Sequence, residues 1–126
     1  MLKYLLFLLL LPCTLTAQQV IFCEQVDASG RPKNASNEFT IGNEGGFFKI
    51  LVKLNEQVSS NEVVFDVYKV AEGTKHFDTS LRMEVKPAIT WFFKEITFFK
   101  PGEYQVYVYS DKDKLLGVGH VVIHLK

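Results

Sequence analysis

Three histidines and a short acidic segment are the residues in this sequence whose types could bind a metal ion. His120 and His124 are four residues apart, a spacing that on a helix would place two zinc ligands on one face. The segment around them has the period of a strand, where four residues span about 13 Å, so the two cannot share one ion. His76 has no cysteine or second histidine nearby, and Asp111 and Asp113 lack the further oxygen ligands of a calcium loop. We therefore predict surface histidines, a charged hairpin turn and no metal or other cofactor.

Candidate nucleophiles are few and lack the residues that usually activate them. Ser59 and Ser60 lie in a polar segment, and neither a Gly-x-Ser-x-Gly motif nor a cysteine–histidine signature accompanies them or Cys23. No recognisable motif pairs two carboxylates for acid–base chemistry. The glycine-rich residues 42–46 are followed by a strand pattern and by no lysine–serine pair, which predicts a turn rather than a phosphate site. On these grounds we expect a protein that is not an enzyme.

Residues 1–17 have the composition of a secretory signal peptide. Lys3 is followed by an apolar run over residues 4–11, and the small Ala17 provides a cleavage site. The run is too short to span a membrane as a helix, and a permanent N-terminal anchor is the alternative. We expect cleavage after Ala17, a single domain over residues 18–126 without a permanent membrane span, and export to the periplasm, the extracellular space or the cell surface.

Charge and cysteine content narrow the possible partners. Loss of Lys3 leaves 13 basic and 14 acidic residues, a net charge of −1 with neutral histidines, so neither nucleic acid nor an anionic membrane is an expected partner. Cys23 is the cysteine that remains after cleavage, so we expect no intramolecular disulfide and a buried, small apolar residue on the first strand. Asn34 begins an Asn-Ala-Ser triplet, an acceptor for N-glycosylation in a eukaryotic secretory pathway.

Apolar residues recur at every second position along most of the remaining chain, which is the period of β-strands. Residues 47–54 alternate strictly between an inward and an outward face. We predict that Phe47 and Leu51 face outward, on the same side of the strand as Lys49 and Lys53. Turn-forming segments separate such runs, and no amphipathic helix pattern occurs. We predict an all-β antiparallel sandwich of about seven to eight strands. Its predicted core comprises Phe48, Ile50, Val52, Leu54, Val63, Phe65, Val67, Leu81, Met83, Val85, Trp91, Tyr104, Val106, Val108, Val121 and Ile123.

The densest aromatic stretch covers residues 91–109 and is divided by a proline–glycine pair at position 101. Proline cannot donate to a strand ladder, so this pair predicts a turn between two strands. In the second strand Tyr104 and the two valines that alternate with it are assigned to the core, whereas Tyr107 and Tyr109 share the outward face.

Two strands change parity along their length. Trp91 and Ile96 have opposite parity, so placing both in the core requires a break or a bulge near residue 94. In the last apolar run, Gly117 and Gly119 are the natural positions for a bulge that shifts the inward face by one residue.

The turn and strand around Tyr104 resemble the tyrosine corner of immunoglobulin-like and fibronectin-type sandwiches. The segments KPGEYQVYVYS and LLGVGHVVIHLK are similar to the last two strands of many exported bacterial immunoglobulin-like modules, and the resemblance extends over residues 45–126. It implies an Ig-like fold with Tyr104 as the structural corner. The cysteine pair that joins the two sheets in that family has no counterpart here, and Trp91 comes too late in the chain to correspond to the buried core tryptophan.

An outward aromatic face is the feature that predicts a function. Tyr107 and Tyr109, together with Phe47 and Leu51, point away from the predicted core, and exposed tyrosines bind proteins and sugars through an apolar ring with a polar tip. Aromatic pairing between neighbouring strands is the structural alternative. We predict an exported Ig-like module that binds a protein or a surface glycan through this face or through a strand edge. The alternatives are a secreted protease or hydrolase inhibitor and a small-ligand carrier built as a closed β-barrel.

Overall fold

Ten β-strands account for the regular structure of residues 18–126. The structure is a computed structural model that describes residues 18–126, and the predicted signal peptide, residues 1–17, lies outside the described residues. Between residues 18 and 126, no helix has the length and apolar character needed to cross a membrane. The strands are β1 (Gln19–Cys23), β2 (Gln25–Val26), β3 (Pro32–Lys33), β4 (Glu38–Ile41), β5 (Gly46–Lys53), β6 (Glu62–Ala71), β7 (Thr74–Glu84), β8 (Trp91–Phe98), β9 (Gly102–Ser110) and β10 (Leu115–Leu125).

The longer strands form two sheets that pack face to face. The small sheet has three antiparallel strands in the order β1-β5-β8. The large sheet has five strands in the order β4-β10-β9-β6-β7, antiparallel except for the parallel pair of β4 and β10. The short strands β2 and β3 pair with each other. The predicted all-β sandwich is confirmed, with ten strands rather than seven or eight because several short strands escape the sequence pattern.

The core lies between the two sheets and is filled by alternate residues of the long strands. In β6, Val63, Phe65 and Val67 are buried because successive side chains of a strand point to opposite faces. The ring of Phe65 meets Phe92 of the small sheet edge-on, with ring centroids 6.1 Å apart. Each large apolar side chain buried in this way contributes about 1.5–3 kcal/mol before the entropy cost of ordering the chain. The predicted core residues that are only partly buried are Leu54, Leu81, Met83, Val85 and Trp91.

Strand β8 corrects the assignment of the tryptophan. It runs without interruption and in continuous register with β5. Phe92, Ile96 and Phe98 are buried in the core, so the even positions face inward and Trp91 faces away. Assigning Trp91 to the core is therefore wrong, and the predicted break near residue 94 is not found in this strand. The indole lies instead against Gly30, where an added Cβ would be 2.8 Å from the ring.

The segment between β1 and β4 covers the outer face of the small sheet. Strand β2 contacts β5, and the N–H of Ser36 donates to the carbonyl of Phe22 at 3.1 Å. Cys23 and Leu51 are both 0% exposed, although they lie on the outer side of their strands. The prediction that Leu51 faces solvent is wrong for this reason, whereas the prediction of a buried Cys23 is confirmed. Burial raises the pKa of the Cys23 thiol, so the thiol stays protonated at neutral pH.

Two glycines of β10 lie where β1 crosses this strand. The pairing of β10 with β9 shifts between Leu115 and Gly117, so the strand has a bulge as predicted, but it lies at Leu116 and not between the two glycines. At Gly119 an added Cβ would lie 2.5 Å from Cγ1 of Val20 and 2.9 Å from Cε2 of Phe22. Gly119 thus allows the small sheet to approach the large sheet closely along this side of the sandwich.

A hydrogen-bond network around Asp111 holds one end of the large sheet. The carboxylate of Asp111 accepts from the N–H of Asn61 at 3.2 Å, and the N–H of Asp111 donates to Oγ of Ser60 at 3.0 Å. Ser60 is buried and donates in turn to the carbonyl of Glu62. The N–H of Asn61, followed by Ser60, holds the pKa of Asp111 below its usual value. The turn after β9 is therefore tied to the loop before β6.

We expect the domain to lose stability in acid through Asp111 and Asp27. The pKa of Asp27 is also lowered, first by the N–H of Arg31 and then by Ser29. A carboxyl group with a lowered folded-state pKa stabilises the fold above its unfolded pKa of about 3.9, and this contribution is lost as the pH falls through the folded-state pKa. The Tm should therefore decrease between about pH 5 and pH 2, and it should decrease less in the double variant Asp27→Asn/Asp111→Asn.

Thermal melts followed by circular dichroism at each pH measure this dependence. Glu44→Gln, in the exposed turn before β5, is the control for removal of one carboxylate. A double variant whose Tm decreases as steeply as that of the wild type would contradict the assignment.

Candidate functional site

Three aromatic side chains meet on the outer face of the large sheet. Tyr107 of β9 lies edge-on to Tyr68 of β6, with ring centroids 5.4 Å apart and an interplanar angle of 82°. Tyr68 is also edge-on to Phe77 of β7, at 5.8 Å and 80°. We call these three residues the aromatic cluster. Phe77 is 61% exposed, so the cluster ends in a ring that is open to solvent.

Lys75 lies over this cluster and supplies its positive charge. Its Nζ is 4.3 Å from the centroid of Tyr107, 4.7 Å from that of Tyr68 and 3.1 Å from the Tyr107 hydroxyl. The ammonium donates to that hydroxyl, which donates in turn to Oε1 of Gln105 at 3.2 Å. The hydrogen bond to Tyr107 raises the pKa of Lys75, so Lys75 remains charged at neutral pH. Two hydrogen bonds therefore hold the hydroxyl of Tyr107, and they fix the orientation of its ring.

Tyr109 borders a shallow groove next to the aromatic cluster. In the register of the sheet Tyr109 lies opposite Val64, and Val64 lies opposite Arg82. The depression has a volume of about 370 Å³ and is lined by these three residues together with Asp66, Ser80 and Asp113. We call it the Tyr109 groove. Because Asp66 pairs with Tyr107 in the same register, the groove and the aromatic cluster form one continuous surface.

The groove combines hydrogen-bond donors and acceptors that are already oriented. Oγ of Ser80 donates to Oδ1 of Asp66 at 2.8 Å, and Nη1 of Arg82 donates to Oε1 of Glu62 at 3.1 Å. A guanidinium has five N–H groups and a carboxylate has about four acceptor sites, so both retain capacity for a ligand. The groove can therefore offer an apolar floor, a tyrosine ring and polar groups of both kinds.

Tyr104 is on the opposite face of β9, within the core. Its hydroxyl donates to the carbonyl of Lys100 at 2.8 Å, across the turn that precedes the strand. The ring packs against Phe98 with centroids 4.6 Å apart, and burial raises the pKa of the phenol. The hydrogen bond to a carbonyl four residues upstream ties the start of β9 to the turn that precedes it.

Tyr104→Phe should lower the free energy of unfolding by about 1 kcal/mol, because the Lys100 carbonyl loses its donor while the ring still fits. Urea denaturation followed by circular dichroism measures the change. Tyr109→Phe removes a hydroxyl from the outward face of the same strand and is the control. An unchanged midpoint for Tyr104→Phe would count against the corner.

The two histidines of β10 pair with separate carboxylates. Nε2 of His120 is 2.8 Å from Oε2 of Glu103 on β9, and Nε2 of His124 is 2.9 Å from Oε1 of Glu38 on β4. Both histidines are exposed, as predicted. Over residues 18–126 there is no group of three or more His, Cys, Asp or Glu side chains that could hold a metal ion.

The sequence patterns indicate only part of this surface. Alternation places Tyr107 and Tyr109 on the outward face, and the parity of β6 also places Tyr68 there without marking it as a site residue. Phe77 has the parity of Leu81 and Met83, which predicts an inward side chain. The pairing of β6 and β7 shifts beside Tyr68 and leaves Asp78 unpaired, and this bulge turns Phe77 outward.

Phe47 and Phe99 are the most exposed aromatic residues outside this surface. They are 68% and 69% exposed, respectively. Phe47 of the small sheet pairs with Thr97, two positions before Phe99. The prediction that Phe47 faces outward is confirmed, but Phe47 lies on the sheet opposite to the one that carries Tyr107 and Tyr109.

Comparison with known proteins gives no family assignment. No family model and no curated protein matches this sequence. The similar solved structures include superoxide reductase (neelaredoxin) from Ignicoccus hospitalis, with 9% identity, a TM-score of 0.46 and coverage of 88% of this chain and 81% of that one. A point variant of that reductase has 12% identity, a TM-score of 0.45 and coverage of 87% and 80%. A Niemann-Pick type C2 protein from the Japanese carpenter ant has 12% identity, a TM-score of 0.45 and coverage of 69% and 79%.

These similar structures correct one prediction from the sequence. The lack of a recognisable catalytic motif predicts a protein that is not an enzyme. Two of the similar structures are superoxide reductases, which are enzymes, so the expectation that this protein is not an enzyme is contradicted. At these identities and TM-scores, the likeness does not extend to the activity or the ligand of this chain.

Proposed function

We propose that this domain binds a protein or a surface glycan through the outer face of its large sheet. The observation that supports this proposal is the aromatic cluster, in which Tyr68 packs edge to face with both Tyr107 and Phe77 beside the Tyr109 groove. Aromatic rings that are fixed by their neighbours lose little entropy on binding and offer a large apolar area. Packing alone does not require the outermost ring, Phe77, to remain exposed.

The face is favoured over the free edge of β7. A strand edge that accepts another strand needs a flat row of unpaired N–H and C=O groups. Strand β7 has a bulge at Asp78, and Lys75 and Arg82 are charged residues along the same strand. Bulges and charges are the devices by which proteins prevent pairing at an edge.

The test compares two variants that each remove two aromatic rings from an outer face of the domain. Tyr107→Ser/Phe77→Ser changes the aromatic cluster, and Phe47→Ser/Phe99→Ser changes the opposite side as the matched control. Each purified domain is applied to arrays of immobilised glycans and of cell-surface proteins. We expect a bound partner to be lost only by the first variant, with both variants still folded by circular dichroism. A partner that is bound equally by both variants and the wild type would exclude the face.

We also propose an immunoglobulin-like topology and export. The order β10-β9-β6-β7 corresponds to strands G, F, C and C′ of variable-type immunoglobulin sheets, and Tyr104 then lies near the start of strand F, where the tyrosine corner belongs. In this correspondence the buried Phe65 lies on strand C, the strand that carries the buried tryptophan of antibody domains. Export is supported by the composition of residues 1–17. N-terminal sequencing of the mature protein from cell fractions tests it, with Gln18 as the expected first residue.

A small-ligand carrier is the second candidate function. One depression of about 450 Å³ between the end of β7 and the start of β8 is lined mainly by the apolar side chains of Met83, Val85, Ile89 and Phe92. Apolar lining of this kind suits a small hydrophobic ligand. Native mass spectrometry of the protein purified from its own secretory pathway should show a retained mass if the domain is a carrier, and a bare protein mass would count against this function.

A further inference from the structure

We infer that the Tyr109 groove binds one sugar ring of an uncharged glycan, while the adjacent aromatic cluster contacts the neighbouring part of the same chain. This inference rests on the proposed function, because it assigns the ligand class for the same face. It is carried by the arrangement of polar groups around an apolar floor in the groove.

The row of paired residues across three strands sets the shape of the site. Tyr109, Val64 and Arg82 lie side by side on β9, β6 and β7, with the half-buried Val64 as the floor between a tyrosine and a guanidinium. The next outward row, two residues along each strand, consists of Tyr107, Asp66 and Ser80. Successive outward rows are two residues apart, or about 7 Å. A ligand that fills the groove therefore reaches the ring of Tyr107.

The polar groups match hydroxyl groups better than a single charge. Every sugar hydroxyl both donates and accepts a hydrogen bond, and the groove presents acceptors from Asp66 and Asp113 together with donors from Arg82. The serine hydroxyl of Ser80 holds the Asp66 carboxylate in position at 2.8 Å. Orientation before binding reduces the entropy lost on association.

The charges of the groove disfavour the other classes of ligand. Within the groove Asp66 and Asp113 outnumber Arg82, so a sulfated, phosphorylated or uronic-acid ring seated there meets a net negative charge. A lipid would remove water from these three charged groups, and the hydrogen bonds of Asp66 to Ser80 and of Arg82 to Glu62 would replace only part of that hydration. At about 370 Å³, the groove is near the lower limit of roughly 300–1,000 Å³ for small-molecule sites, which suits a small ring rather than a folded protein surface.

The experiment uses affinity electrophoresis and isothermal titration calorimetry of the full mature domain. The probes are soluble neutral polysaccharides of glucose, mannose, galactose and xylose, and two anionic ones, a sulfated galactan and a polyuronate. The groove variants are Asp66→Asn and Tyr109→Ser, with Arg82→Gln as a third variant if either is unfolded by circular dichroism. Arg31→Gln, on the hairpin of β2 and β3, is the matched control.

The expected result is binding of at least one neutral polysaccharide, weakened about tenfold or more by each groove variant and unchanged by Arg31→Gln. Binding that the groove variants leave unchanged but that Tyr107→Ser/Phe77→Ser removes would overturn the groove while the proposed function stands. Binding confined to the anionic probes, or to a protein, would overturn the assignment of an uncharged glycan. Failure to bind any polysaccharide would also overturn the assignment of an uncharged glycan. The array of cell-surface proteins would then test the proposed function separately.

Discussion

Phe92→Ala is expected to lower the free energy of unfolding by about 3–5 kcal/mol, the usual cost of deleting a buried phenylalanine ring. Phe92 is 3% exposed and meets Phe65 of the opposite sheet edge-on, at 6.1 Å and 79°. Truncation opens a cavity between the sheets that the surrounding strands cannot close. Phe93→Ala, one position along and on the other side of β8, should cost roughly 1 kcal/mol because that ring is only partly buried.

Urea denaturation of both variants, followed by circular dichroism, measures this difference. A double-mutant cycle of Phe92→Ala with Phe65→Ala isolates the aromatic contact, for which we expect a coupling of about 0.5–1.5 kcal/mol. Equal costs for Phe92→Ala and Phe93→Ala would contradict the inward parity of β8. The pair of variants therefore tests whether the odd positions of β8, Trp91 among them, face away from the core.

Gly119→Ala is expected to destabilise the domain by about 2–3 kcal/mol, because an alanine here overpacks the junction of the two sheets. Its Cβ would lie 2.5 Å from Cγ1 of Val20 and 2.9 Å from Cε2 of Phe22, so strand β1 would have to move away. In the interior of an unobstructed strand, alanine is favoured over glycine by roughly 0.5–1 kcal/mol. The expected change in stability is therefore opposite in sign to that of a glycine-to-alanine substitution in an unobstructed strand.

Gly42→Ala is the matched control, since a Cβ at Gly42 has no neighbour within 4 Å. Val20→Ala removes the methyl groups that clash, so adding it to Gly119→Ala should recover part of the lost stability. Thermal and urea melts of the two single variants and the double variant measure the effect. A Gly119→Ala domain as stable as the wild type would show that β1 can shift at little cost.

The sequence alone predicted the faces of strands that alternate without interruption. In β6 and β9, polar or half-exposed residues separate buried valines, so that one set can only face the core and Tyr107 and Tyr109 must face outward. The same period predicted an all-β sandwich, and the glycines of β10 predicted its bulge. These features depend on neighbours along the chain, and the sequence order gives those neighbours directly.

The predictions from sequence that are wrong concern residues whose burial depends on contacts between distant segments of the chain. Leu51 alternates as an outward residue, yet residues 24–37 fold over it, and parity along β5 has no information about that cover. An inward Trp91 follows from the frequent burial of large aromatic residues, whereas the register of β8 against β5 puts Phe92 there. Residue type alone could not decide which of the two neighbouring aromatic residues, Trp91 or Phe92, faces the core.

The outward aromatic surface shows both contributions. The alternation in β6 and in β9 determined that Tyr68, Tyr107 and Tyr109 each lie on the outward face of their own strand, and the pairing of the two strands brought them onto one surface. Only the tertiary structure added Phe77 to them, because the bulge at Asp78 reverses the parity of β7, and only the sheet order brought Arg82 beside Val64 to complete the groove. Period-2 alternation specifies the side of a strand on which a residue lies, but strand pairing and bulges decide which residues from different strands meet.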